Sequence, residues 1–328
     1  MLVKHQALSA ILLLGLAGSL ASGAAQETAP GSGGSGAVSE ADHRTHSDED
    51  WTSLPLAGSH LQAEPPLLAE RDEEPTFTRE MIEVRWRAGD PIHLFLILPK
   101  GTPKPPVVLY LYSFPSETDR FLNDDFCALL AQDGYAAAGF VSALTGQRYH
   151  DRPMKEWFIS ELQEALGSSV HDVEMMLNYL AGRGDLDTAR VGMFGEGSGA
   201  AIAILAAAAD SRIKAVDLVD PWGDWPVWMS QSSLVPEEER GDYVKPEFLK
   251  KLAPLEPVSW FGRVKAAVRL QYLSEPGVTP ASARERITAA APPQAKVIAH
   301  GAAVAQYQAA KLKFFDWVKE QLRPAPVR

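Results

Sequence analysis

After residue 76, the spacing of apolar residues along the chain switches between two patterns. Short apolar runs of strand length are followed by longer segments in which apolar residues recur every three or four positions. The pattern predicts strands at residues 77–86, 91–98, 107–112, 135–141, 191–194, 213–219, 267–273 and 295–299. It predicts helices at 119–132, 198–209, 281–291 and 304–322, and one with the apolar stripe Val170, Val173, Leu177 and Leu180. This alternation is typical of α/β proteins with a mostly parallel sheet and helices on both faces.

The first 25 residues have the layout of a secretory signal. Lys4 precedes an apolar run at residues 10–20, and the small residues 22–25 follow it. A run of this length is shorter than the roughly 20 residues of a membrane span. We therefore expect a signal peptide at 1–25 and an exported chain, periplasmic or secreted, without stable membrane insertion after cleavage.

Residues 26–75 differ in composition from the rest of the chain. They begin with Gly and Ser and then carry many Asp and Glu residues, which supply most of the net charge of -11. Low hydrophobicity with a high density of like charge is typical of flexible segments. The sequence therefore predicts an acidic flexible linker at 26–75, followed by a folded α/β domain at 76–328.

The overall composition limits the classes of protein to which this chain can belong. With 46% hydrophobic and 22% charged residues, the chain resembles ordinary globular proteins. Its acidic balance would repel a phosphate backbone, which argues against a nucleic-acid partner. The single cysteine, Cys127, cannot form an internal disulfide, and no Cys/His set has zinc spacing. We expect neither a metal nor a cofactor, and a small molecule as the partner.

The most informative segment is RVGMFGEGSGA, residues 190–200, where a predicted strand runs into a predicted helix. Closely spaced small residues at such a junction allow a sharp turn at the carboxyl edge of the sheet, where the chemistry of α/β proteins is found. With the preceding LDTARVG, it resembles the α/β-hydrolase superfamily, in its dienelactone-hydrolase-like and prolyl-peptidase-like branches. The resemblance covers about residues 77–322 and implies the α/β-hydrolase fold.

The resemblance also implies where the nucleophile belongs. In the motif G-x-S-x-G the register here is Gly195, Glu196, Gly197, Ser198, Gly199, so Gly197 stands at the serine position. Ser198 takes the next position, whose backbone N–H normally contributes to the oxyanion hole. A shifted register would make Ser198 the nucleophile, but it would place Glu196 where a small residue is needed.

The remaining members of a catalytic triad are only partly recognisable. His300 follows the last predicted strand, where the family's histidine lies. The loop of the family's acid aligns with residues 274–280, which places Pro276 at the acid and Glu275 one residue early. Asp220 or Asp224, after the strand at 213–219, could substitute because some members take their acid from that strand.

Two further features belong to the expected pocket. The second oxyanion donor of the family follows the third strand, where His-Gly is frequent; that pair is absent here, although a backbone N–H near Ser113 could still donate. Trp222, Trp225 and Trp228 follow Pro221. They are interpreted either as an aromatic cap over the pocket or as core packing of an irregular excursion.

A different class of function fits the same glycines. Gly195-x-Gly197-x-x-Ala200, followed by Asp217 or Asp220, satisfies the dinucleotide fingerprint. Several strands precede it, whereas the fingerprint usually opens its domain, so a dinucleotide-binding protein is the remoter alternative. The favoured prediction is an exported protein of esterase or peptidase lineage that has lost serine-hydrolase activity and keeps a small-molecule pocket for acyl or ester ligands. The alternative is an active carboxylic-ester hydrolase that uses Ser198 with His300.

Overall fold

Strand-forming runs assemble into a single large sheet. The computed structural model describes residues 49–57, 59–113, 118–144, 148, 158–273, 278–300 and 315–323. The sheet strands within these ranges are β1 (Leu67–Glu73), β2 (Phe77–Val84), β3 (Ile92–Pro99), β4 (Pro106–Leu111), β5 (Ala136–Phe140), β6 (Asp187–Glu196), β7 (Ile213–Val219), β8 (Ala267–Tyr272) and β9 (Lys296–Ala299).

The sheet has the order β1-β2-β3-β5-β4-β6-β7-β8-β9. Strands β1, β2 and β3 pair antiparallel, and β3 pairs antiparallel with β5. All pairs from β5 through β4 to β9 are parallel. The carboxyl ends of six parallel strands therefore share one edge, with β6 near the centre of the sheet, which is where a site is expected.

Helices connect the parallel strands. In chain order the described α-helices are α1 (Asp124–Ala131), α2 (Leu162–Arg183), α3 (Ser198–Ala209), α4 (Trp225–Gln231), α5 (Arg240–Tyr243), α6 (Pro246–Leu252), α7 (Pro257–Phe261), α8 (Ala281–Ala290) and α9 (Asp316–Gln321). Helices α4 to α7 form an excursion between β7 and β8 that the periodicity did not predict. Its helices are short, and three of them begin with Pro in the first turn, which obscures an apolar stripe. None of the described helices has the length and apolar character needed to cross a membrane.

Both faces of the sheet are covered, as the sequence predicted. Leu109 and Leu111 of β4 are buried in a core shared with α2 and α3. Val108 and Tyr110 are buried in a second core, shared with α1 and α9. Because successive side chains of a strand point to opposite faces, an apolar run such as β4 requires a helix layer on each side. The predicted mostly parallel sheet with helices on both faces is therefore confirmed.

The acidic segment before residue 76 is partly ordered, contrary to the predicted flexible linker at 26–75. Leu54 is 1% exposed in the core, and β1 pairs with β2 along its length. The buried carboxylate of Glu49 accepts hydrogen bonds from Arg87 and contacts His171. Composition predicts flexibility from the number of charged residues and does not include their partners. In the structure the charge of Glu49 is paired. Residues 1–48, which include the predicted signal peptide, lie outside the described residues.

The segment predicted as one helix at 119–132 is broken. A 3₁₀ turn, Asp119–Leu122, precedes α1, and Asn123 between them has an extended backbone. The Asn123 side chain accepts a hydrogen bond from the N–H of Phe126 at 2.9 Å, which caps the second helix. The predicted helix at 304–322 is described only from residue 315, where α9 contributes Val318 to the core.

Candidate functional site

The junction of β6 and α3 is a sharp turn with Gly197 at its apex. Glu196 ends the strand, Ser198 begins the helix, and Gly197 between them has φ +56° and ψ −114°. This backbone region is strained for any residue with a side chain. The Gly197 N–H donates to the carbonyl of Val219 at 2.9 Å, which ties the apex to the end of β7.

The neighbouring glycines are required by close packing of strand and helix. A Cβ atom at Gly195 would lie 2.6 Å from the Cα of Ala200, and one at Gly199 would overlap the carbonyl of Leu111. Real Cβ atoms do not approach other atoms so closely, so only glycine fits at both positions. The spacing of these glycines is thus explained by helix–strand packing, without a bound phosphate.

One of the two acidic residues of the dinucleotide alternative, Asp217 or Asp220, is already engaged in the core. Asp217, proposed for that role, is fully buried in β7, where Arg269 and Gln271 donate hydrogen bonds to its carboxylate. A ribose hydroxyl would have to displace these partners inside the core. The arrangement therefore gives no support to dinucleotide binding at Asp217.

The space above Gly197 is filled by protein atoms. A Cβ atom at Gly197 would overlap the hydroxyl of Ser113, and it would lie 2.8 Å from Ser113 Cβ and 3.2 Å from Trp222 Nε1. Ser113 follows β4, the neighbouring strand at the same edge. The sequence proposed Ser113 for a backbone N–H in an oxyanion hole, and the structure places its side chain where a side chain at position 197 would lie. Sequence reasoning missed this role because it depends on contact between two strands.

Ser198, the alternative nucleophile, is the first residue of α3 and is fully buried. A nucleophile has to reach the substrate carbonyl, which requires exposure at the apex of the turn. The position beside the apex does not provide that exposure. Ser198 therefore fits the start of a packed helix better than it fits a catalytic serine.

His300 follows β9 at the expected edge, but its ring is engaged by an amide. The backbone N–H of His300 donates to the Tyr272 carbonyl at 2.9 Å, and the ring Nε2 of His300 lies 3.0 Å from Gln271 Oε1. Because Gln271 Nε2 donates to Asp217 at 2.8 Å, the Gln271 oxygen faces the histidine, and His300 Nε2 carries the proton. Burial, and secondarily the charge of Arg269, lower the pKa of His300. In a serine-hydrolase triad Nε2 takes the proton of the nucleophile, and here Nε2 is already protonated.

The sequence contains a pattern that indicates a structural role for Gln271 and that the sequence-based prediction did not use. It alternates with Arg269 on one face of β8, a strand that is otherwise apolar or aromatic. Polar side chains at alternate positions of a central strand are rare unless they bond to one another. The two residues and Asp217 form such a bonded group, which holds His300.

The candidate acids do not complete a triad in the described part of the chain. Glu275 and Pro276 lie outside the described residues. Asp220 accepts a hydrogen bond from the Leu273 N–H at 3.3 Å and pairs with Arg284 at 3.0 Å. Burial raises the pKa of Asp220 to about 6, although Arg284 lowers it. Its backbone is left-handed, with φ +44°. Backbone strain with a perturbed pKa is common near functional sites.

Asp220→Asn is expected to stabilise the protein at high pH. The folded-state pKa of about 6 lies above the ordinary value of 3.8, so ionisation weakens the native state as pH rises from about 4 to 6. We expect the free energy of unfolding of the variant to exceed that of wild type by about 1–3 kcal/mol at pH 8 and by little at pH 4. Urea denaturation at both pH values measures this difference.

The exposed Asp125→Asn change is the control, with an expected effect within about 0.5 kcal/mol at either pH. A difference between Asp220→Asn and wild type that stays constant from pH 4 to pH 8 would show that ionisation of Asp220 is not its cause.

The three tryptophans form a connected buried cluster. The rings of Trp222 and Trp228 lie 4.8 Å apart, and those of Trp225 and Trp228 lie 6.0 Å apart. Trp222 points its Nε1 toward the apex at Gly197 and fills that space rather than lining an open pocket. Trp225 lies on the wall of a cavity of about 410 Å³ in the excursion. Trp222 and Trp225, which the sequence assigned to one pocket, therefore lie at two different places, the apex of the turn and the wall of the cavity.

Metal ligands are not grouped in the described ranges, where no set of three or more His, Cys, Asp and Glu side chains could hold an ion.

Solved structures with a similar fold include esterases and a peptidase. An acetyl xylan esterase from Paenibacillus sp. R4 superimposes with a TM-score of 0.59 at 16% identity, over 83% of this chain and 94% of that one. Acetyl xylan esterase 1 from Thermoanaerobacterium sp. JW/SL YS485 gives 0.57 at 15% identity, over 79% and 90%. An acylaminoacyl peptidase from Pyrococcus horikoshii gives 0.58 at 15% identity, over 78% of this chain and 43% of that one.

These similarities establish the α/β-hydrolase fold for this chain. No family model and no curated protein sequence matches it. At such low identity a shared fold does not carry a shared activity, so function has to be argued from the site.

Proposed function

We propose that this α/β-hydrolase-fold protein, of esterase or peptidase lineage, is exported and binds a small molecule without serine-hydrolase catalysis. The observation that carries the proposal is Gly197 at the apex of the turn with the hydroxyl of Ser113 in the volume of the missing side chain. A covalent acyl intermediate needs a nucleophile at that apex, directed at the oxyanion donors. Export rests on the signal-like residues 1–25.

The surroundings of the apex support the same conclusion. Trp222 Nε1 closes the space from the side of β7, and Ser113 closes it from the side of β4. His300, the candidate base, holds its Nε2 proton against Gln271 instead of presenting an unprotonated Nε2 to the apex. Each of these features would impair acyl transfer, and together they support the proposal that this site does not carry out serine-hydrolase catalysis.

The test is covalent labelling of the purified mature protein. We expect no labelling by a fluorophosphonate probe and no hydrolysis of short-chain p-nitrophenyl esters above the rate of a Ser113→Ala, Ser198→Ala double variant. An active acetyl xylan esterase treated in parallel serves as the positive control. If the wild type is labelled and Ser198→Ala abolishes labelling, the protein is a carboxylic-ester hydrolase that uses Ser198 with His300. If Ser113→Ala abolishes it, the nucleophile is Ser113, and the proposal is equally overturned.

A further inference from the structure

A cavity in the excursion between β7 and β8 lies apart from the apex of the turn. It has a volume of about 410 Å³, within the range of small-molecule sites, and its walls come from α4, α6, α7 and α8. Gly197, Ser113 and His300 do not line it. The filled apex therefore does not close this cavity.

The walls of the cavity combine an apolar surface with a buried carboxylate. Trp225, Leu249 and Val258 supply apolar surface. Asp224, at the entry to α4, is only 3% exposed, and within the described residues its Oδ2 has no hydrogen-bond partner. A buried carboxylate oxygen without a donor is costly, so the site lacks a group that a ligand could supply.

The second carboxylate of the cavity is already satisfied. Glu256 accepts hydrogen bonds from the N–H groups of Asp224 at 2.8 Å, Trp225 at 2.7 Å and Val258 at 3.1 Å. It thereby fixes the backbone that carries Asp224, whose own conformation is left-handed with φ +57°. Asp224 is thus held in place by a neighbour that cannot itself donate to it.

The cations of the cavity are loosely held. Arg286 contacts Asp224 Oδ1 through one nitrogen at 3.3 Å, and its side chain is 63% exposed. Lys250 lines the cavity from the exposed side of α6. A ligand ammonium can replace the single Arg286 contact at Asp224, which frees Arg286 to bind a ligand carboxylate.

We propose that this cavity binds a small zwitterion with an apolar side chain, an amino acid or dipeptide, through Asp224 at its ammonium end and Arg286 with Lys250 at its carboxylate end. The inference rests on the proposed binding function and names its site and ligand class. A simple carboxylic acid would leave Asp224 without a donor, and a simple amine would leave the two cations without an acceptor. The volume accommodates an apolar side chain against Trp225.

Isothermal titration of the full mature chain tests the ligand class, with L-leucine and glycyl-L-leucine as probes. We expect saturable binding of at least one of them. L-leucinamide and 4-methylpentanoate, which each lack one charge of leucine, should bind at least about tenfold more weakly, since each gives up a charge-assisted contact. Equal binding of 4-methylpentanoate and L-leucine would overturn the assignment of Asp224, and no binding of any probe would overturn the proposal.

Three variants test the residues. Asp224→Asn keeps the shape and should weaken zwitterion binding by at least about 30-fold, as expected when a buried charge partner is removed. Arg286→Leu should weaken binding, and Lys250→Met should weaken it by about two- to fivefold. Lys251→Met, one residue beyond Lys250 and outside the cavity lining, is the matched control and should leave affinity unchanged.

Fluorophosphonate labelling of the same samples separates the two proposals. Unlabelled protein that binds no probe leaves the loss of catalysis standing and refutes the zwitterion site. Labelled wild-type protein refutes the loss of catalysis, whatever the titration shows. Zwitterion binding that Asp224→Asn and Arg286→Leu leave unchanged would place the ligand elsewhere and overturn the inference.

Discussion

Glu49→Ala is expected to lower the free energy of unfolding by about 3–5 kcal/mol at pH 5.5, one of the two largest effects we predict. The Glu49 side chain is fully buried, and Arg87 donates to both of its oxygens at 2.6 and 2.7 Å. His171 Nδ1 lies 2.6 Å from it. Removing the carboxylate leaves part of the charge of two cations buried without a partner.

The effect of Glu49 should depend on pH in a defined direction. Burial alone would raise the pKa of Glu49, but hydrogen bonds from Arg87 and His171 outweigh it and lower the pKa to about 2. The stabilisation is therefore present above the ordinary value of 4.5 and is lost as pH falls toward 2. The pKa of His171 is raised, although burial opposes this, so its share is present below 6.5 and is lost at higher pH. The contribution of the pair is greatest between about pH 4.5 and 6.5.

Urea denaturation of wild type and Glu49→Ala at pH 3, 5.5 and 8 measures this dependence. Glu70→Ala, an exposed position of β1, is the control and should change stability by no more than about 0.5 kcal/mol. If Glu49→Ala resembles Glu70→Ala at pH 5.5, the segment around residue 49 does not hold the fold together, and the flexible linker predicted from composition would be the better description.

The second large effect concerns restored reactivity at the apex. Sequence reasoning alone suggests that Gly197→Ser puts a nucleophile back. The structure adds an obstacle, because the new Cβ would overlap the hydroxyl of Ser113 and lie 2.8 Å from its Cβ. We expect Gly197→Ser alone to remain unlabelled by fluorophosphonate and to be destabilised by about 1–3 kcal/mol through strain. Gly197→Ser combined with Ser113→Gly should become labelled.

His300 provides the internal control for this experiment. Adding His300→Ala to the double variant should slow labelling by about 100-fold or more if the histidine can turn from Gln271 to the new serine. Ser113→Gly alone should remain unlabelled, and thermal unfolding of every variant verifies folding. Labelling of Gly197→Ser as rapid as that of the double variant would mean that Ser113 does not obstruct the apex.

Sequence periodicity accounted for most of the sheet because strand and helix periods are local properties. β7 is observed where it was expected, and Val170, Val173, Leu177 and Leu180 form the buried stripe of α2. The sharp turn at residues 195–199 was also readable, since only small residues allow strand and helix to approach so closely. The edge strand β1 and helices α4 to α7 were missed, because their apolar patterns are short or absent.

By itself, then, the sequence determined the α/β class, the order of its central elements and the position of Gly197 in a strand-to-helix turn, all of which follow from patterns within a few residues. Tertiary structure decided which distant side chains meet. Ser113 comes from another strand to fill the apex, Gln271 orients His300, and Glu49 joins the core through Arg87. Contacts of this kind depend on how strands pair and helices pack, and no local period encodes them.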